Sequence, residues 1–251
     1  MLESIQLGVS YGGVDALRDV NITVCSGEMV GLIGPNGAGK TTMIDTLSGF
    51  VRPSFGRVIF AGRDITGLAT HRRSRLGLAR TFQSVESFEP LTVEANVRAA
   101  ADTAIDDGLF ARLRRGSVID EQIGSTLAQL DLTNVADAFP SELSYGRQKL
   151  VGLAMALVRE PRVVLLDEPA AGLDAASIEV LGRQLRRVQQ RGIGVLLVDH
   201  DMDVVFGLCQ RVYVLDFGRL IAEGPPEVIR DDQRVRSAYL GEAVTIEPQP
   251  S

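Results

Sequence analysis

The chain has 251 residues, 45% hydrophobic and 23% charged, with a net charge of −6 and no tryptophan. That length and composition fit a soluble globular protein of one large α/β domain or two small ones, and the acidic balance argues against a broad nucleic-acid footprint, which shows as a basic face. No apolar run approaches the roughly 20 residues of a membrane span, residues 1 to 11 include Glu3 and no leader-like apolar stretch, and the two cysteines, Cys25 and Cys209, have no metal-type spacing and read as small core or surface residues in a reducing compartment, with a disulfide as the minor alternative.

Through residues 2 to 24 apolar side chains alternate loosely, with Gly12-Gly13 between the two halves. This predicts an antiparallel pair joined by a tight turn. Tyr11, just before the turn, is either a platform on which an adenine stacks or a strand-end aromatic. Met29 to Ile33 is an apolar run, a buried strand by pattern. It leads into Gly34-Pro35-Asn36-Gly37-Ala38-Gly39-Lys40-Thr41, with Thr42 behind it, and then into a helix over Thr42 to Leu47 closed by Gly49. Strand, glycine-rich loop and helix form the context in which G-x-x-x-x-G-K-S/T reads as a phosphate-binding loop. Glycines let successive backbone N–H groups turn toward phosphate oxygens, and the helix N-terminus adds the positive end of a dipole. Lys40 would reach the β- and γ-phosphates and the Thr41 hydroxyl would ligate Mg²⁺.

Residues 52 to 56 read as a turn, Arg57 to Phe60 as a short strand and Ala61 to Arg63 as another turn. His71 to Leu76 carries Arg72, Arg73 and Arg75, most simply a solvated helix face. A strand-like approach from Gly77 ends in Arg80-Thr81-Phe82-Gln83, where the Gln83 amide can orient a water or touch Mg²⁺. Leu91 to Asp102 looks helical, Asp106-Asp107-Gly108 breaks it, and Arg112, Arg114, Arg115 and Gly116 read as a basic loop. A second helix follows from Val118 to Leu130, so the stretch from residue 86 reads as a helical subdomain inserted between halves of the nucleotide-binding fold.

The α/β pattern then resumes. Ser144 stands at the N-cap of an apolar helix running to Val158. In Leu143-Ser144-Tyr145-Gly146-Arg147, a serine, a glycine and the N–H groups of a helix start are either a plain cap or an anion site. Val163 to Leu166 is a buried strand ending in Asp167-Glu168, and Val195 to Val198 another ending in Asp199-His200. Strand ends of open α/β sheets face the ligand crevice. Asp167 can hold Mg²⁺ there, directly or through water. Glu168 beside it is better used as the base that orients the attacking water. His200 can hydrogen-bond the γ-phosphate. A hairpin over residues 211 to 222, a helix from about Pro226 and a disordered tail past Glu242 complete the pattern.

Together these motifs, in this order and over nearly the whole length, resemble the ATP-binding subunits of ABC transporters. Gly34 to Thr41 resembles their Walker A loop, Val163 to Glu168 their Walker B strand with its catalytic glutamate, and Leu143 to Arg147 their signature motif. Gln83 resembles their Q-loop glutamine, Ala171 to Asp174 their D-loop and His200 their switch histidine, while Tyr11 falls where the family places its adenine-stacking aromatic. A narrower likeness, to the branched-chain amino acid uptake subfamily, rests on Arg80 to Gln83, Leu143 to Gly146, Glu168 to Leu173, Asp199 to Met202 and Ala238 to Ala243. That group includes relatives for urea, amides and other amino acids. Arg147 stands where the signature usually has glutamine.

The resemblance implies a single ABC ATPase domain over 1–251. Its P-loop NTPase core would carry an antiparallel β subdomain and an inserted helical subdomain at about 86–154. It implies ATP and Mg²⁺ as cofactors, with nucleotide contacts from Tyr11, Gly34, Asn36, Gly37, Ala38, Gly39, Lys40, Thr41 and Thr42, and from Ser144 and Gly146 of a second subunit. The metal would be held by Thr41, Gln83 and Asp167, and hydrolysis would depend on Glu168, His200 and Gln83. The partners implied are transmembrane permease subunits, contacted through residues 83 to 97, a second ATPase subunit (a copy or a sister chain) and, indirectly, a secreted substrate-binding protein. The place implied is the cytoplasmic face of the membrane, peripherally, with no nucleic acid. An ABC-type ATPase without a transporter, acting on DNA or the ribosome, is the rival from another class. Its usual coiled-coil insertions, tandem halves or basic regions are not evident here.

Overall fold

The structure is a computed structural model that describes the backbone of residues 1–81, 87–101 and 109–240, and the side chains of all of these except 109–117 and 240. Gln83, the 106–108 breaker, the side chains of Arg112, Arg114 and Arg115 and the tail past 242 lie outside the described residues.

Strands β1 (Leu2–Tyr11) and β2 (Val14–Val24) pair antiparallel about Gly12-Gly13, with Tyr11 opposite Val14. Strand β3 (Met29–Ile33) is buried along its whole length and feeds helix α1 (Lys40–Ser48), which Gly49 closes in the left-handed conformation. Strand β4 (Phe55–Phe60) begins two residues earlier than the turn chemistry of residues 52–56 suggested, and β5 (Arg63–Asp64) pairs with it. Helix α2 (Thr70–Arg75), strand β6 (Leu78–Arg80) and helices α3 (Val93–Ala101), α4 (Leu109–Gln129) and α5 (Tyr145–Leu157) follow. Then come β7 (Val163–Asp167), α6 (Ala175–Gln190), β8 (Gly194–Val198), α7 (Met202–Leu208), β9 (Arg211–Asp216), β10 (Arg219–Gly224), α8 (Pro226–Asp231) and α9 (Gln233–Leu240).

Among the described residues the strands form two sheets. The smaller, antiparallel one runs β2-β1-β4-β5, and the larger runs β10-β9-β3-β8-β7-β6. From β9 through β6 every pairing in the larger sheet is parallel, and β10 closes its edge antiparallel. Strands covered on both faces read as continuous apolar runs rather than alternating ones. Alternation reappears in which core each residue joins. Met29, Ile33, Val164, Leu166, Val195 and Leu197 face the layer containing α3 to α7. Val30, Leu32, Val163, Leu165, Leu196 and Val198 face α1 and the smaller sheet.

Two sequence expectations need correction. Arg112 to Gly116 is not a loop: α4 begins at Leu109 rather than Val118, and these residues lie inside it. Arginine and leucine are strong helix formers, and one interior glycine costs only about 1 kcal/mol. The arginine run of α2 is also not a uniformly solvated face. Arg72 and Arg75 are exposed, but Arg73 is 1% exposed.

Arg73 is buried because it closes the C-terminus of α1. Its Nη1 donates to the Thr46 and Leu47 carbonyls, each at 2.7 Å, its Nε to the Leu68 carbonyl at 2.9 Å and its Nη2 to the Thr66 carbonyl at 2.9 Å. Helix C-termini present unsatisfied carbonyls and the negative end of the dipole, and a planar fork of donors suits both. Burial pulls the guanidinium down to about 10, so it stays charged at neutral pH. Replacing Arg73 with leucine should therefore leave these carbonyls unpaired and lower the unfolding free energy by about 3 kcal/mol. Equilibrium denaturation measures this, and a loss below about 0.5 kcal/mol, typical of a surface site, would contradict the capping role.

Candidate functional site

The register of three parallel strands assembles the site. Val198 of β8 pairs with Leu32 of β3 on one side and with Asp167 of β7 on the other. The phosphate loop, Glu168 and His200 therefore leave the sheet at one edge, where strand ends of α/β sheets carry ligands.

The loop from Gly34 to Gly39 is held from behind. A Cβ on Gly34 would lie 2.1 Å from the Leu215 carbonyl oxygen, and one on Gly39, where φ is 107°, would lie 2.6 Å from the Ala16 carbonyl oxygen. Only glycine permits both approaches. The Gly218 N–H donates to the Ala38 carbonyl and the Arg18 N–H to the Gly218 carbonyl, so the β9–β10 turn clasps the loop against β2. This carries the β1–β2 end of the smaller sheet, with half-exposed Tyr11, to the side of the loop. Lys40 is buried, and its ammonium donates to the Gly34 and Pro35 carbonyls at 2.6 and 2.9 Å. Helix α1 has no side-chain cap at its N-terminus, which leaves its first amides for an anion. Thr41 is exposed on the first turn and Thr42 follows it, half-buried.

At the end of β7, Asp167 is buried and its Oδ2 accepts from Arg80 Nη2 at 3.1 Å. Burial pushes the Asp167 carboxyl up, Arg80 pulls it back, and Glu168 and Asp45 push it further up. Glu168 sits at φ 46°, uncommon for a residue with a side chain, and its N–H donates to the Val198 carbonyl at 2.7 Å. Such strain collects at functional sites. His200 Nδ1 lies 3.7 Å from Glu168 Oε1 and 3.6 Å from Asp199 Oδ1. Asp199 is fully buried, accepting from the Asp201 N–H at 3.0 Å and the Ala170 N–H at 3.4 Å. Burial raises its carboxyl, and those two amides counter the rise.

Ser144 is the N-cap residue of α5, yet its side chain makes no capping bond. It lines a groove of about 290 Å³ with Gly146, Arg147, Asp131 and Ser177. Pro35 to Ala38 line a different groove of about 550 Å³ with Asp216, Phe217 and Arg234. The two grooves share no lining residue. Asp174 caps α6 by accepting from the Ser177 N–H at 2.8 Å.

Two residues with structural weight here were not assigned a role from sequence. Arg80 was visible only as part of a motif, and Asp199 only as the neighbour of His200. A buried charge at a strand end is the available signal, but the Arg80 partners Asp45 and Asp167 lie 35 and 87 residues away.

A hydroxyl and a carboxylate, both oxygen donors, suit Mg²⁺, which keeps waters and takes one or two protein ligands beside phosphate oxygens. The guanidinium already paired with Asp167 shows that this carboxylate accepts a cation.

The ABC transporter family pattern matches residues 17–171, and a pattern described as a branched-chain amino acid ATP-binding cassette transporter matches residues 219–245. A lipopolysaccharide export system ATP-binding protein, LptB of Acidithiobacillus ferridurans, is 39% identical over 246 residues, 98% of this chain and 99% of its own. The high-affinity branched-chain amino acid transport ATP-binding protein LivG of Escherichia coli K12 is 36% identical, over 94% of this chain and 96% of its own. An ATP-binding cassette of an ABC transporter in its ADP conformation superposes with a TM-score of 0.86 at 29% identity, over 96% of this chain and 98% of that one. A dimeric bacterial ABC transporter cassette superposes with a TM-score of 0.74 at 25% identity, over 90% and 99%. The chain belongs to the ABC transporter family and is an ABC ATPase.

Replacing Lys40 with alanine removes the one ammonium in the loop. Charge-assisted hydrogen bonds are worth about 1.5–3 kcal/mol, so ATP affinity measured by calorimetry should fall at least about tenfold and hydrolysis with it. Unchanged affinity would contradict the placing of phosphates at this loop.

Proposed function

On the premise of that membership, we propose that the chain binds MgATP at the edge formed by β3, β7 and β8 and hydrolyses it to drive a transporter for branched-chain amino acids. The observation that supports the site most strongly is the approach of His200 to Glu168 at adjacent strand ends, with Glu168 held at positive φ.

In this reading the Gly34–Gly39 amides and Lys40 bind the phosphates, and Lys40 exchanges its loop carbonyls for phosphate oxygens. Tyr11 stacks on the adenine. Thr41, Asp167 and Gln83 would hold Mg²⁺, which supplies charge neutralisation to the transferring phosphoryl group when bound. Glu168 accepts the proton of the attacking water. His200 holds the γ-phosphate and keeps the Glu168 carboxylate directed at that water. Phosphoryl transfer needs little beyond such positioning and electrostatic stabilisation.

Ser144 and Gly146 act on the nucleotide of a second ATPase subunit, a reading supported by their uncapped helix start, by their place in a groove that shares no lining residue with that of the phosphate loop and by the dimeric cassette of similar fold. Permease subunits take up the motion at the cytoplasmic face of the membrane, through the helical region that follows Gln83. A secreted binding protein presents the substrate. Among the described residues no helix is long and apolar enough to cross a membrane.

Import of branched-chain amino acids is supported by the match over residues 219–245 and by the likeness to LivG. A second reading, lipopolysaccharide export, is supported by the likeness to LptB over nearly the full chain. The two differ in their permeases. Affinity purification of the tagged chain from its own membranes should retain two permease subunits encoded beside a secreted protein that binds leucine, isoleucine or valine. Retention of lipopolysaccharide-exporting subunits instead would replace the first reading with the second.

Replacing Glu168 with glutamine keeps the shape and removes the base. Steady-state hydrolysis should drop by roughly 100-fold or more while ATP affinity is retained. Near-normal turnover would take the role of base away from Glu168.

A further inference from the structure

At the end of β6, Arg80 joins two carboxylates that no local pattern connects. Its Nη1 donates to Asp45 Oδ1 at 2.6 Å and to Ser48 Oγ at 3.1 Å, and its Nη2 donates to Asp167 Oδ2 at 3.1 Å. The Phe50 ring lies under the guanidinium, 5.3 Å from its carbon to the ring centroid. The side chain is 10% exposed, as is that of Asp167. The Thr81 N–H that follows donates to the Leu165 carbonyl, and Arg80 itself pairs with Leu165 in the parallel ladder, so the arginine's own backbone is fixed against β7.

Asp45 and Ser48 belong to α1, the helix whose first turn carries Thr41. Arg80 therefore spans from the helix of one candidate metal ligand to the carboxylate of the other. We propose that Arg80 is a positioning residue for the metal: it acts as a strut that fixes the direction of the Asp167 carboxylate and its spacing from Thr41. This rests on the reading of Thr41 and Asp167 as the protein's metal ligands.

The geometry of the fork supports a strut rather than a plain counter-charge. Each terminal nitrogen serves a different carboxylate, which a planar guanidinium does without strain and a lysine ammonium cannot reproduce. The Phe50 ring adds a cation–π contact on one side of the guanidinium. Arg80 engages Asp167 through one carboxylate oxygen, and the second remains as a donor for the metal. Groups that orient a ligand from behind in this way typically change metal affinity by about 10–100-fold when removed. A guanidinium that acted only as a competing cation would have the opposite sign, since its removal would tighten metal binding.

The test uses the full chain with Mn²⁺ as the probe, counted by electron paramagnetic resonance in the presence of saturating ADP. In Arg80→Gln the apparent Mn²⁺ dissociation constant should rise by about tenfold or more. In Arg80→Lys, which keeps the charge and one contact, and in Asp45→Asn, which cuts only the arm to α1, it should rise by less. ADP affinity in EDTA should be unchanged in all three. Mn²⁺ binding that is unchanged or tighter in a folded Arg80→Gln protein overturns the proposal. If that variant does not fold, unchanged Mn²⁺ binding in both Arg80→Lys and Asp45→Asn overturns it equally. A parent chain that binds neither ADP nor Mn²⁺ would instead overturn the nucleotide-site reading beneath it.

Discussion

The pairing of β8 with β3 on one side and β7 on the other is the constraint on which the site depends. Parallel strands hold a slanted, evenly spaced ladder, and Val198 meets Leu32 and Asp167 at the same level of the sheet. A one-residue slip in either pairing would turn every side chain of the slipped strand to the opposite core. The register is thus locked by burial: every residue of β3, β7 and β8 is buried. What emerges from the three strand ends follows from that lock. The phosphate loop, the Asp167-Glu168 pair and His200 come to one edge without any of them needing to find the others.

The same edge concentrates negative charge. Asp45, Asp167, Glu168 and Asp199 gather around the strand ends, and two of the four, Asp167 and Asp199, are raised by burial. Asp199 is offset by the Ala170 and Asp201 amides and by the nearby imidazole, and Asp167 by Arg80. This arrangement keeps a polar centre within an apolar sheet, and every compensation is local to its carboxylate. Glu168 carries a backbone constraint as well: it sits at a positive φ that costs of order 1–3 kcal/mol and is anchored by its amide to the Val198 carbonyl. Strain at the residue assigned as base and charge compensation at the residue assigned to the metal are consequences of two different local solutions.

Much of this was legible in the sequence for definite reasons. Strands β3, β7 and β8 are short apolar runs that stop at polar residues, so their positions, and the loops after them, follow from hydropathy. The glycines of the phosphate loop are legible by their spacing between an apolar strand and a helix, and at Gly34 and Gly39 the structure gives the reason, since the Leu215 and Ala16 carbonyls leave no room for a side chain. Arg73 was not, since nothing in His71 to Leu76 separates an arginine that caps a distant helix from its exposed neighbours Arg72 and Arg75. The pairing of Arg80 with Asp45 spans 35 residues and that with Asp167 spans 87, so no local period encodes either. The start of α4 is not legible because Asp106-Asp107-Gly108 reads as a breaker and the arginines with Gly116 as a basic loop, whereas arginine is a good helix former and an interior glycine is tolerated. The substrate is not legible in the same way: the 219–245 match and LivG point to branched-chain amino acids, and LptB, similar over nearly the full chain, points to lipopolysaccharide.

The central claim is that the ends of β3, β7 and β8 form one nucleotide site. Diffraction from crystals of the chain grown with Mg²⁺ and a non-hydrolysable ATP analogue tests it most directly. The account predicts a γ-phosphate between Lys40, Glu168 and His200, with the metal on Thr41 and Asp167. A nucleotide whose γ-phosphate lies away from Glu168 and His200, or whose metal does not engage Asp167, would contradict it.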